Sequence, residues 1–91
     1  GDVLMGSSAR GDSANVVAAC VAARKMGIRT IAMTGEDGGK LADYADILLA
    51  VPSSVTMHIQ ESHIALGHVI TLAVEKLLEI ANTLARYNLF Q

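Results

Sequence analysis

Residues 2–14 read Asp2-Val3-Leu4-Met5-Gly6-Ser7-Ser8-Ala9-Arg10-Gly11-Asp12-Ser13-Ala14, and the reading of this stretch decides the fold. Residues 3 to 7 form a short apolar run that predicts a buried strand. Ser8-Ala9-Arg10-Gly11-Asp12 is a polar, glycine-containing turn, and the apolar-periodic run from Ala14 to Met26 behind it predicts a helix with Ser13 as its N-cap. On that helix Ala14, Val17, Ala18 and Val21, flanked by Cys20, are expected to make the apolar face, while Arg24 and Lys25 complement the dipole ahead of Gly27. The same alternation then continues. Ile28 to Thr34 predicts a second strand, Gly35-Glu36-Asp37-Gly38-Gly39 a flexible loop, and Lys40 to Ala45 a helical turn or two. Asp46 to Val51 predicts a third strand whose unbroken apolar centre suits a parallel sheet covered on both faces, and Pro52 closes it. The βαβαβα order assigns the chain to the α/β class, with a parallel sheet and right-handed crossovers.

From Thr56 to Tyr87 the pattern is helical for about 45 Å at 1.5 Å per residue. Its apolar residues, among them Ile59, Ile64, Leu66, Val69, Ile70, Ala73, Leu77, Ile80, Ala81 and Leu84, surround much of the helix. More than one neighbour must therefore pack on it, some from outside this stretch of chain. The terminal Asn88-Leu89-Phe90-Gln91 reads as a packing contact in an oligomer.

At 91 residues the chain is one domain at most, which excludes a two-domain enzyme. Apolar residues make up 52% but aromatics only 3%, so the apolar content is small and aliphatic, too much of it for a comfortable small monomer. Seven Lys and Arg against nine Asp and Glu give a formal charge of -2 with no basic patch, which argues against direct binding of nucleic acid. The single Cys20 excludes an intramolecular disulfide and a cysteine-based zinc cluster, fits a reducing cytosol, and reads as a small buried apolar residue. The longest apolar stretch, Ile64 to Val74, is interrupted by Gly67, His68 and Thr71 and falls short of the roughly 20 residues of a spanning helix, so a soluble, cytoplasmic protein without a membrane partner is expected. The first strand begins directly after Gly1, which predicts a fragment of a longer chain.

Two places could carry chemistry. The turn after the first strand sets Ser7, Ser8, Ser13 and Gly11 where a parallel strand ends and a helix begins. Backbone N–H groups, the helix dipole and serine hydroxyls at such a turn bind phosphate, although the turn geometry alone also asks for Gly and Ser. The spacing is neither a GxGxxG fingerprint nor a P-loop. The second place is the polar set Gln60, Glu61, His63 and His68 within the long helix. Gln60, Ile64 and His68 form an i, i+4, i+8 row, putting amide and imidazole about 12 Å apart on roughly one side. A substrate could lie between them, whereas one metal ion would be shared only if both side chains converge. His63 reads as a hydrogen-bonded core residue.

Four motifs together resemble a known family. They are Asp2 to Gly6; Ser8-Ala9-Arg10-Gly11-Asp12-Ser13-Ala14-Asn15-Val16; Thr30-Ile31-Ala32-Met33-Thr34-Gly35 with Asp37-Gly38-Gly39; and Ile59-Gln60-Glu61-Ser62-His63-Ile64 with His68. In order and spacing they look like the carboxyl half of the sugar isomerase (SIS) domain of phosphoheptose isomerases. The resemblance implies a SIS-type, flavodoxin- or Rossmann-like sandwich in which residues 1–91 are the carboxyl-terminal portion of one SIS domain. It implies a homotetramer that isomerises sedoheptulose 7-phosphate to D-glycero-D-manno-heptose 7-phosphate, a lipopolysaccharide precursor, through an enediol. By position it gives Ser8, Ala9, Arg10 and Ser13 to the phosphate loop, Gln60 and His68 to the substrate and zinc site, and the general base to His68. An acidic residue and further zinc ligands of the family lie upstream, so this stretch alone is expected to be inactive.

Two residues depart from the family pattern. Arg10 stands where a third serine is usual and Asp12 where an Asn is usual. Arg10 offers phosphate a charged bidentate donor, and Asp12 repels phosphate unless Arg10 or the dipole offsets it. Arg10 is also similar to the residue in a tetrameric SIS relative that associates with the replication initiator DnaA, so a non-catalytic scaffold is an alternative, as is a sugar-phosphate sensor. That relative lacks a histidine at the position of His68, and the histidine here favours the isomerase.

Overall fold

The computed structural model describes residues 1–87, and the expected contact of residues 88–91 lies outside them. Three parallel strands, β1 (Val3–Ser7), β2 (Arg29–Thr34) and β3 (Ile47–Ala50), form one sheet in the order β1-β2-β3. The register sets Gly6 beside Ala32 and Ala32 beside Leu48, so side chains two residues apart along a strand share a face. One face receives α1 (Ala14–Lys25) and α2 (Leu41–Tyr44), and the core is there: Cys20, Ala32 and Leu41 are fully buried, with Leu4, Val16, Val17, Ala45 and Leu48 packed around them. The other face receives α3 (Thr56–Arg86), whose buried residues are Ile59 and His63 near its start.

The α/β class and the parallel βαβαβα order are as expected, but burial differs from expectation in several places. β1 was expected to be buried and β3 to be covered on both faces. Each is an edge of the described sheet, with Val3 57% and Ile47 51% exposed, because α3 reaches little beyond β2. On α1 the inward row is Val16, Cys20 and Ala23, while Ala14 and Ala18 are exposed. The helix is therefore rotated relative to the expected face, and Val16 lies so near β1 that a methyl group on Gly6 would meet its Cγ1 at 2.8 Å. Helix α1 stops at Lys25, where the Met26 and Gly27 N–H groups fold back onto the carbonyls of the last turn and Gly27 takes a left-handed φ of 74°.

Asp46, expected to begin the third strand, serves as an anchor ahead of it. The Thr30 N–H and hydroxyl both donate to its Oδ2, at 2.8 and 3.2 Å, and the Asp46 N–H donates to the Thr30 hydroxyl oxygen at 3.0 Å. The Thr30 N–H bond is the main reason that the carboxyl titrates below the ordinary aspartate range, with desolvation acting against it. A carboxyl whose pKa is lowered by folding adds stability above its unfolded value of about 3.9, and that stability is lost as pH falls through the folded value. Acid titration followed by circular dichroism should therefore show a steeper loss of stability below about pH 4 in the wild type than in Asp46→Asn.

α3 extends the molecule to 48 Å in its longest dimension, and the radius of gyration is 15.6 Å. A compact domain of this length has a radius of about 12 Å, so the helix projects well beyond the sheet. Along the projecting part Val69, Leu72, Leu77, Leu78 and Ile80 are exposed. No helix among the described residues is long and apolar enough to cross a membrane.

Candidate functional site

The site is assembled where the strands end. Beyond β1 the Ser8 N–H donates to the Met33 carbonyl at 2.9 Å, carrying the strand pairing one residue further, and the Gly11 N–H donates to the Ser8 carbonyl at 3.1 Å to close the turn. Ser13 occupies the N-cap position of α1 but its side chain makes no capping bond. Its N–H donates to Ser8 Oγ at 3.3 Å. Ser13 is therefore the N-cap by position, as expected, with its carbonyl accepting from the Val17 N–H at 2.9 Å, but its hydroxyl makes no bond to the first turn. Ser8, which only accepts here, keeps its own O–H proton to donate.

The turn is clamped by the glycine-rich loop after β2. The Gly35 N–H donates to the Ala9 carbonyl at 2.8 Å and the Leu41 N–H to the Gly11 carbonyl at 2.9 Å. The Lys40 N–H donates to Asp12 Oδ1 at 3.0 Å. The loop expected to be flexible is thus a brace: besides the Gly38 N–H bond to the Gly35 carbonyl that closes it at 3.2 Å, its backbone bonds reach the turn and, through the Glu36 N–H and the Ser53 carbonyl at 3.1 Å, the loop after β3.

A cavity of about 350 Å³ opens between these three loops, lined by Ala9, Arg10, Asp12, Gly35, Glu36, Asp37, Gly39, Ser53, Ser54 and Ile59. Of the expected site residues it brings together Ala9 and Arg10; Ser8 and Ser13 stand behind them in the turn. Gln60 follows Ile59 on the first turns of α3 and is exposed. His68 is exposed nine residues beyond Ile59, about 13 Å along the helix, and lines neither this cavity nor the apolar groove between β3 and α3. Glu36, Asp37, Ser53 and Ser54 were not expected from the sequence. The rule that ligands of a parallel sheet bind at the carboxyl ends of its strands could have found them, since they follow β2 and β3 directly.

The cavity lining carries one guanidinium, Arg10, against the carboxylates of Asp12, Glu36 and Asp37. A phosphate there would lean on Arg10 and the turn, and Asp12 would oppose it. Asp12→Asn keeps an oxygen for the Lys40 N–H and removes the charge, so it should tighten binding of a sugar phosphate by about 5-fold, read by calorimetry at low salt. Among the described residues no three His, Cys, Asp or Glu side chains are placed to hold a metal ion. Gln60 and His68 are thus at most part of a coordination sphere and do not by themselves fit zinc.

A family model described as SIS domain matches residues 1–35. The phosphoheptose isomerase of Sulfurimonas denitrificans is 49% identical over 76 residues, 84% of this chain and 39% of that protein. The phosphoheptose isomerase of Akkermansia muciniphila is 49% identical over 76 residues, 84% of this chain and 40% of that protein. The solved structure of phosphoheptose isomerase GmhA from Neisseria gonorrhoeae superposes with a TM-score of 0.72 at 49% identity, covering 75% of this chain and 39% of that one. The parallel sheet and these matches define a chain that belongs to the SIS-domain family. Its relatives within that family are phosphoheptose isomerases. The chain spans about two fifths of the length of these relatives.

Proposed function

We propose that residues 1–91 are the carboxyl-terminal portion of one SIS domain, and that the protein carrying them isomerises sedoheptulose 7-phosphate to D-glycero-D-manno-heptose 7-phosphate. The observation that carries this reading is 49% identity to phosphoheptose isomerases across 84% of the chain. The braced turn supports it: free hydroxyls on Ser8 and Ser13 and the guanidinium of Arg10 suit the 7-phosphate, and Gln60 suits a sugar hydroxyl. His68 takes a proton from C1 of the ketose and the enediol forms as the C2 carbonyl gains a proton. Return of the first proton to C2, with loss of the O1 proton, leaves an aldehyde at C1 and no net change in composition. Zinc belongs to this reading only as an ion held by Gln60 and His68 with donors from outside this chain, and no proton step is routed through it. The same reading makes the protein a cytoplasmic homotetramer; the phosphorylated substrate supports the first and the exposed apolar row on α3 the second.

An NMR time course of sedoheptulose 7-phosphate with the intact protein, with added zinc and again with a chelator, tests it. Appearance of the aldoheptose phosphate supports the reading, and the chelator arm reports whether metal takes part. Broadened substrate signals without product would sink it and turn attention to the sensor or the DnaA-associated scaffold.

A further inference from the structure

We propose that His63 is a positioning residue that fixes α3 against the phosphate turn, and so sets where Gln60 and His68 stand relative to Ser8 and Ser13. His63 is 5% exposed. Its Nε2 lies 2.9 Å from the Thr34 carbonyl oxygen, which can only accept, so Nε2–H donates. In the neutral ring Nδ1 then accepts from the Ser7 hydroxyl at 2.7 Å. Ser7 directly precedes Ser8, and Thr34 directly precedes Gly35, whose N–H holds the Ala9 carbonyl. One ring therefore grips the last residues of β1 and β2 just before two of the three loops that build the cavity. Ile59 fills space beside Gly35, but an apolar contact leaves the rotation of a helix loosely determined; two directional bonds on opposite ring nitrogens determine it. The same pair could be read as a serine nucleophile with its base, yet Ser7 lines neither the cavity nor the groove.

The assay, though not the geometry, rests on the isomerase reading. In the intact protein His63→Leu should raise KM for sedoheptulose 7-phosphate and lower kcat, with kcat/KM down about 100-fold. His63→Asn, which can reach only Ser7, and His63→Gln, which can reach only Thr34, should fall between. A merely structural role would shrink the folded fraction and Vmax at unchanged KM, and that result overturns the proposal. Should His63→Leu fail to fold, Ser7→Ala carries the test: KM must rise by several fold, and an unchanged KM overturns it. If the wild type binds the sugar phosphate without turnover, the isomerase reading fails, and the dissociation constant is compared instead. Weaker binding by Ser7→Ala then still supports positioning, and equal binding overturns it. Covalent labelling of Ser7 by a fluorophosphonate would also overturn it.

Discussion

Replacing His68 by glutamine in the intact protein is expected to lower kcat for sedoheptulose 7-phosphate by about 10²- to 10⁴-fold, the range for loss of a general base. Glutamine keeps the size and polarity of the side chain but cannot take up a proton at neutral pH. His68 is exposed on α3, so the substitution should leave folding within about 0.5 kcal/mol of wild type and the oligomer intact. Kinetics, size-exclusion chromatography with light scattering and thermal melting, measured on the same preparation, separate these effects. Full activity in the variant would remove His68 from the mechanism; loss of both activity and assembly would make it an interface residue.

The largest effect on stability is expected at Gly11. Its φ is 73°, in the left-handed region, and a methyl group there would run into the carbonyl of Gly38, which belongs to the bracing loop. The collision is with backbone on both sides, so no side chain can swing away. Gly11→Ala should cost about 2–4 kcal/mol, combining left-handed strain with displacement of the brace, and should weaken sugar-phosphate binding as the turn opens. Gly27 supplies the control, since its φ is 74° and nothing stands within 4 Å of an added carbon. Gly27→Ala should therefore cost only the strain, about 1–2 kcal/mol. Denaturant unfolding of the two variants measures the difference, and equal losses would mean that the contact between turn and brace contributes nothing.

Much of this was legible in the sequence, for reasons of period and punctuation. The helices at Ala14 and Thr56 and the strands at Val3, Ile31 and Leu48 announce themselves through apolar repeats bounded by Gly, Ser and Pro, and these signals are local. His63 was readable as a hydrogen-bonded core residue, but its partners were not, because Ser7 and Thr34 lie 56 and 29 residues away. Ser13 was a sound candidate to cap α1 by residue type. It does occupy that position, but its hydroxyl makes no bond to the first turn, while its own N–H is held by the Ser8 hydroxyl five residues earlier, a contact no local signal announces. The burial of β1 and β3 was misjudged because an apolar strand records that it will be covered, not by which segment. Glu36, Asp37, Ser53 and Ser54 have the composition of any loop, and only the side-by-side arrangement of the strand ends collects them around one cavity.

The clamp on the turn after β1 is made almost wholly of main-chain groups: Ala9 and Gly11 contribute carbonyls, and Gly35 and Leu41 contribute N–H groups. The turn's path therefore does not depend on which side chains residues 9 and 10 carry. A lineage can exchange a neutral hydroxyl for a guanidinium at position 10 and change the charge that the turn presents, with no refolding to repair. Arg10 stands at such an exchangeable position: the brace makes the scaffold permanent and leaves the lettering on it open to revision.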